Sequence, residues 1–136
     1  EFSEAFPTPE KEKILFISFY GSNNFKKEIT WKKFKTSRKF IEFAKSEKDL
    51  LIQAKKTFKE FDPDIIVGYN SDKFDIPYIR KRAKENNVCF NLNWIEHGGK
   101  KIAGISNIDA LISIRNILGQ NLRTNRYDLD SVAEEM

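Results

Sequence analysis

Between Ser46 and Asn87 the chain carries its clearest structural punctuation, and this stretch most limits the folds open to it. SEKDLLIQAKKTFKEF puts Leu50, Leu51, Ala54, Phe58 and Phe61 at helical spacing, with Ser46 as N-cap and acidic residues in the first turn. Asp62-Pro63 ends that helix, because a residue before proline avoids helical dihedrals. DIIVGYN, residues 64–70, is a short apolar run that opens onto Asn70, Ser71 and Asp72, which predicts a buried strand ending in a loop. Asp75 is placed as N-cap of a second helix through IPYIRKRAKENN, with Pro77 tolerated in its first turn. Helix, strand and helix with a short strand-to-helix loop is the order of an α/β domain, and such domains place chemistry at the carboxyl ends of strands. The loop from Tyr69 to Asp75 is therefore the first candidate site.

The remaining sequence fits one core. At 136 residues and 15.9 kDa there is room for a single ordinary domain. Hydrophobic residues at 40%, charged residues at 32% and a mean hydropathy of −0.56 describe a globular chain, not a disordered one. The apolar stretch ILFISFY at 14–20 falls well short of the roughly 20 residues of a membrane helix. No initiating Met or secretory leader stands at the front, so the chain reads as an internal piece of something longer. The lone Cys89 excludes an intramolecular disulfide framework and a cysteine-rich zinc site, and fits a reducing intracellular compartment.

Around the central stretch the pattern predicts an irregular lead-in through Lys13 and a buried strand over ILFISFYG. A half-buried strand over KKEITWKKF, residues 26–34, then forms an antiparallel hairpin with it. Residues 37–45 are ambiguous. VCFNLNW (88–94) is strand-like, HGGK (97–100) is a turn, and KIAGISNID (101–109) is a further strand. A helix from Ala110 to Leu118, closed by Gly119, precedes a last helix in RYDLDSVAEEM.

Charge is mildly basic, +4 with a pI near 9.1, and unevenly placed. Lys26, Lys27, Lys32, Lys33, Lys35, Arg38 and Lys39 crowd one stretch relieved by Glu28 alone, and Arg80, Lys81, Arg82 and Lys84 crowd another. Solvated faces and phosphate contacts are both compatible with these runs.

Among candidate sites, Asp75 with Asp72 and Asn70 nearby is the strongest polar constellation. A carboxylate at a strand-to-helix junction can bind a divalent cation through oxygen, and it can as well be a plain helix cap beside turn-forming residues. His97, the one histidine, sits in a glycine turn and reads as a surface residue. No GxxxxGK loop or GxGxxG turn is present, so those nucleotide-binding folds gain no support. Trp31, Trp94 and the 12 phenylalanines are first of all core, with Phe74 at the loop rim a plausible platform for a base.

At PDIIVGYNSDKFDIPYIRKRAKE, residues 63–85, the chain resembles the second exonuclease motif of family-B DNA polymerases, particularly the archaeal type. That motif carries an Asn at the end of a strand and an aromatic-Asp pair a few residues on, here Asn70, Phe74 and Asp75. ILFISFY, ITWK and SEKDLLIQAKKTFKEFDPD are similar to the segments before the motif. ISNIDALISIRN and the Tyr-x-Leu-x-x-Val pattern in RYDLDSVAEEM are similar to those after it. The resemblance implies an α/β, ribonuclease-H-like mixed sheet flanked by helices, with residues 1–136 forming a partial 3′-to-5′ exonuclease domain. It implies proofreading hydrolysis of single-stranded DNA 3′ ends by two divalent metals, Mg²⁺ or Mn²⁺, which clamp the attacking and leaving oxygens. Asp75 would be a catalytic, metal-associated carboxylate, Asn70 would brace the loop, and Phe74 would contact the strand terminus. Partners would be DNA, as a single-stranded 3′ end and a primer-template, and the other polymerase domains, with an intracellular location and no membrane.

The chain departs from the family pattern at both ends. The first motif, Asp-x-Glu, would precede the PTPEKEK lead-in, so its Asp is missing. Glu1 is the candidate for its glutamate as a catalytic and metal-binding residue, although Glu-Phe is also what a cloning junction encodes. The third motif, Tyr-x-x-x-Asp, would lie beyond the Val132 helix, and Tyr127 with Asp128 and Asp130 lacks its spacing. Asp109 matches a family aspartate with a structural role. The expectation is an excised exonuclease fragment with little or no activity of its own. Two other readings are a non-catalytic nucleic-acid-binding module and an α/β interaction domain.

Overall fold

A computed structural model describes residues 7–90, 94–96, 100–102, 105–118 and 127–135. It is a mixed α/β structure divided into two compact units, residues 1–62 with 77–91 and residues 63–76 with 92–136.

The first unit is built on a hairpin. Strands β1 (Phe16–Gly21) and β2 (Phe25–Thr30) pair antiparallel from Phe16↔Thr30 to Gly21↔Phe25. Asn23 and Asn24 both take positive φ, and the Phe25 N–H donates to the Ser22 carbonyl at 3.1 Å, the geometry of a type I′ turn, which matches the natural twist of the strands. β3 (Ile41–Phe43), in the stretch the sequence leaves ambiguous, adds in parallel to β2. Helix α1 (Glu47–Phe61) covers one side of this sheet. Ser46 caps it, with Oγ accepting from the Asp49 N–H, and Asp62 ends it in the left-handed region at φ 48°.

The core follows from the two periodicities. Ile29 on β2 meets Leu50, Leu51 and Ala54 on α1, all fully buried, with Ile17, Phe19, Ala83 and Val88 around them. Burying each of the two leucines is worth about 1.5–3 kcal/mol. Phe19 and Phe58 pack edge to face at 5.1 Å. Helix α2 (Asp75–Glu85) contributes Ala83 and the buried Arg82. The lead-in is pinned too: the Tyr78 hydroxyl donates to the carbonyls of Thr8 and Glu12, and Arg82 to that of Pro9.

In the second unit β4 (Ile65–Gly68) pairs in parallel with β7 (Ser106–Asp109), from Ile65↔Ser106 to Gly68↔Asp109. β5 (Trp94–Glu96) and β6 (Lys100–Ile102) form a separate antiparallel ladder. α3 (Ala110–Ile117) follows β7 directly, and α4 (Leu129–Glu135) buries Val132.

The described strands form three ladders, parallel and antiparallel, within the expected mixed α/β arrangement. Several local expectations need correction. β1 is half exposed, because only its Ile17 and Phe19 side packs on the core while Phe16 and Tyr20 face outward at 59% and 76% exposure. Among the described residues β4 pairs with β7 alone, and the face of β4 that carries Ile65 and Val67 is exposed. β2 stops at Thr30 because the chain bends there: Thr30 Oγ1 donates to the Leu15 carbonyl and accepts from the Lys32 N–H, and the Trp31 indole donates to Ile14. Among the described residues of VCFNLNW, 88–90 are not in a strand, since the Val88 N–H is taken by the Ala83 carbonyl at the end of α2, and Trp94 opens β5. Asp75 is the first helical residue, one place inside the expected cap. Residues 97–99, within the expected HGGK turn, and Gly119 lie outside the described residues.

Candidate nuclease site

The loop after β4 owes its shape to one carboxylate contributed from β7. Asp109 Oδ1 accepts from the Asn70 N–H at 3.0 Å and from the Leu111 N–H at 3.0 Å, while Oδ2 accepts from the Asp72 N–H at 3.2 Å. One buried side chain therefore caps α3 and ties down the loop that leads to α2. The parallel register makes this possible, because Gly68 and Asp109 face each other at the ends of their strands.

Within the loop, Asn70 adopts φ 57°, a conformation Asn tolerates. Its carbonyl accepts from Lys73 and Phe74, and the Ser71 carbonyl accepts from Ile76, so the turn feeds straight into the first turn of α2. Gly68 is required by the same compactness: a Cβ there would lie 2.4 Å from Ser71 Cβ and 2.5 Å from its Oγ. Ser71 is buried, and its Oγ finds no hydrogen-bond partner among the described residues. Asp72 Oδ1 accepts from the Asn107 side-chain amide. The Tyr69 hydroxyl donates to the Tyr127 carbonyl at 2.7 Å, and its pKa is raised by burial and by the Asp128 carboxylate, so it stays protonated.

This arrangement sorts the acidic residues. Asp109 is fully engaged by backbone amides, and Asp72 holds an amide side chain. Asp75 is solvent-accessible, yet partial burial and the nearby Asp109 charge outweigh a bond from its own backbone N–H and push its pKa up. A carboxylate in that state gains from an added cation more than a fully hydrated one would.

The sequence-predicted residues thus separate. Asn70, Phe74 and Asp75 come together on one loop and helix start, with Phe74 half-buried. Asn70 shapes the loop through its backbone. Glu1 and His97 lie outside the described residues. Among the described residues no group of three His, Cys, Asp or Glu is placed to hold a metal ion, so those residues alone do not assemble a two-cation centre. Asp109's grip on the loop is the feature that local pattern could not supply, since it joins residues 39 apart in sequence. No helix among the described residues is long and apolar enough to cross a membrane.

A family model described as DNA polymerase family B, exonuclease domain, matches residues 1–132. A DNA polymerase from Methanocaldococcus jannaschii is 34% identical over 132 residues, covering 93% of this chain and 8% of that protein. One from Archaeoglobus fulgidus is 36% identical over 109 residues, covering 76% of this chain and 12% of its own length. The solved family B DNA polymerase of the hyperthermophilic archaeon Pyrobaculum calidifontis superposes with a TM-score of 0.71 at 25% identity, over 96% of this chain and 16% of the other. The chain thus spans a small part of the relatives it matches. With the Asn70, Phe74 and Asp75 motif at a strand-to-helix junction and the match running along nearly the whole chain, this protein belongs to the exonuclease-domain family of the family B DNA polymerases.

Proposed function

We propose that residues 1–136 are part of the proofreading exonuclease domain of a longer DNA polymerase, which removes nucleotides from the 3′ end of single-stranded DNA. Asp75 is the residue of this chain that carries the chemistry. The supporting observation is the division of labour in the loop: Asp109 holds the backbone, and Asp75 is left accessible with a carboxyl of raised pKa. Asp75 would supply one ligand to Mg²⁺ or Mn²⁺, and such cations supply charge neutralisation at the scissile phosphate. The other ligands are not provided by the described residues. Phe74 would contact the strand terminus and Asn70 would keep the loop in shape. The partners are a DNA 3′ end, a primer-template and the remaining polymerase domains, and the location is intracellular.

An isolated chain with so few ligands would have little or no nuclease activity. The test pairs this chain with a longer polymerase that contains it, each supplied with 5′-labelled single-stranded DNA and Mn²⁺. The longer protein is expected to shorten the strand from its 3′ end, and Asp75→Ala to slow this by at least about a hundredfold while DNA synthesis persists. Unchanged degradation by the Asp75→Ala polymerase would overturn the assignment. Turnover by the isolated chain that Asp75→Ala abolishes would overturn the claim that it is inactive.

A further inference from the structure

The hairpin sheet has two unlike faces, and the proposed nuclease role uses neither. Register places Ile17, Phe19, Phe25, Lys27, Ile29 and Glu42 on the side that meets α1, where Lys27 pairs with Glu42 at 3.0 Å. The opposite side carries Phe16, Ser18 and Tyr20 on β1, Lys26, Glu28 and Thr30 on β2, and Ile41 and Phe43 on β3. On it Phe16, Tyr20 and Phe43 are 59%, 76% and 42% exposed. Phe34, 50% exposed, packs edge to face on Phe43 at 5.5 Å. Exposed aromatic rings gathered on one sheet face are uncommon on a surface that has no partner.

Cations accompany these rings. Lys26 Nζ lies 5.4 Å from the Tyr20 ring centre, Lys32 Nζ lies 4.2 Å from that of Trp31, and the Arg38 guanidinium lies 5.9 Å from that of Phe40. Residues 31–40, which join β2 to β3, hold Lys32, Lys33, Lys35, Arg38 and Lys39 and no acid. None of these five is paired with a carboxylate among the described residues. On the aromatic face itself Glu28 is the single acid.

We propose that the outer face of the β1, β2 and β3 sheet, together with residues 31–40, binds a single strand of DNA at a site separate from the Asp75 loop. Bases unstacked from a partner offer flat π surfaces to Tyr20, Phe34 and Phe16, while the phosphates meet the unpaired lysines. A duplex buries those base faces and would be held by charge alone. The choice of DNA follows from the chain's family. The proposal does not depend on Asp75, and it can fail or hold without affecting that assignment.

The test is fluorescence anisotropy of a labelled twelve-nucleotide oligo(dT) titrated with this 136-residue chain at several salt concentrations, with circular dichroism confirming that each variant is folded. Tyr20→Ala, at a side chain with little to lose in the fold, is expected to weaken binding about fivefold to a hundredfold. Lys32→Gln with Lys33→Gln and Lys35→Gln is expected to weaken it further and to flatten the log–log salt dependence by about 2. The control triple Lys48→Gln, Lys59→Gln and Lys84→Gln, which removes the same charge elsewhere, is expected to stay within twofold of the unaltered chain. Equal losses in the two triples would overturn the proposal. So would an unaffected Tyr20→Ala, a duplex or an RNA strand bound as tightly as the single strand, or no detectable binding by the folded chain.

Discussion

Glu47 at the start of α1 and Arg82 on α2 form a buried ion pair, with Arg82 Nε 2.8 Å from Glu47 Oε1 and the second guanidinium nitrogen 2.5 Å from Oε2. The carboxylate also accepts from the Ile14 N–H and the Asn86 amide, so its oxygens are surrounded by donors. Removing one partner leaves the other charge buried without compensation. Glu47→Gln is expected to destabilise the chain by about 3–5 kcal/mol in urea unfolding, whereas replacing both residues by Met should cost much less.

The same pair sets an acid sensitivity. Burial opposes the charged form of Glu47, but the bonds from Arg82, Ile14 and Asn86 outweigh it and hold its pKa below the ordinary value of 4.5. A lowered pKa means that the fold binds this proton less tightly than the unfolded chain does. The stabilising contribution is therefore complete above pH 4.5 and is lost as the pH falls through the lower folded value. Unfolding free energy measured from pH 6 to pH 2 should drop over that window, and the drop should be smaller in the double Met variant.

Asp75 has the opposite sign. Its raised pKa makes the charged form costly in the fold, so stability is greatest below the ordinary 3.8 and is lost as the pH rises through the folded value. Asp75→Asn is expected to raise Tm at pH 7 and to leave it nearly unchanged at pH 2.5, which scanning calorimetry can measure. A lower Tm at pH 7 would mean that Asp75 serves the fold after all. A stabilising loss of a carboxylate is the usual mark of a residue kept for chemistry.

Asp109→Ala removes the acceptor of three backbone amides at once. The expected cost is about 2–4 kcal/mol. Amide hydrogen exchange at Asn70, Asp72 and Leu111 should accelerate well beyond any change at Leu50 or Leu51 in the other unit. Uniform acceleration would show that the carboxylate supports the fold at large instead of the loop.

At Gly68 even one methyl group has no room. Gly68→Ala is expected to destabilise by about 1–3 kcal/mol. Because the clash is with the Ser71 side chain, a further Ser71→Gly change should restore much of the loss. Thermal melts of the single and double variants decide this, and an additive double loss would place the clash elsewhere.

What the sequence revealed about the fold was local. Ser46, the leucine spacing and Asp62-Pro63 delimit α1 because caps, periodicity and proline act within a few residues. Residues 37–45 are ambiguous in the sequence because β3, which lies within them, is only three residues long and is held by parallel pairing, which has no local signal. The exposed half of β1 was read as buried for a related reason: an apolar run does not say how many of its faces will find a partner. At the candidate site, the Asn70, Phe74 and Asp75 motif was legible from residue types and family resemblance. Glu47, read as an ordinary first-turn acid, emerges as half of an ion pair whose other member stands 35 residues away.

The four-rung ladder between β4 and β7 behaves like a keyed joint. Neighbouring residues of a strand point to opposite faces, so a shift of one rung would turn the Asp109 side chain away from the loop it holds, and not merely loosen it. Insertions or deletions inside Ile65–Gly68 or Ser106–Asp109 should therefore act as all-or-none lesions of the loop. Conservative substitutions at the exposed Ile65 and Val67, which keep the register, should leave the loop's shape unaltered.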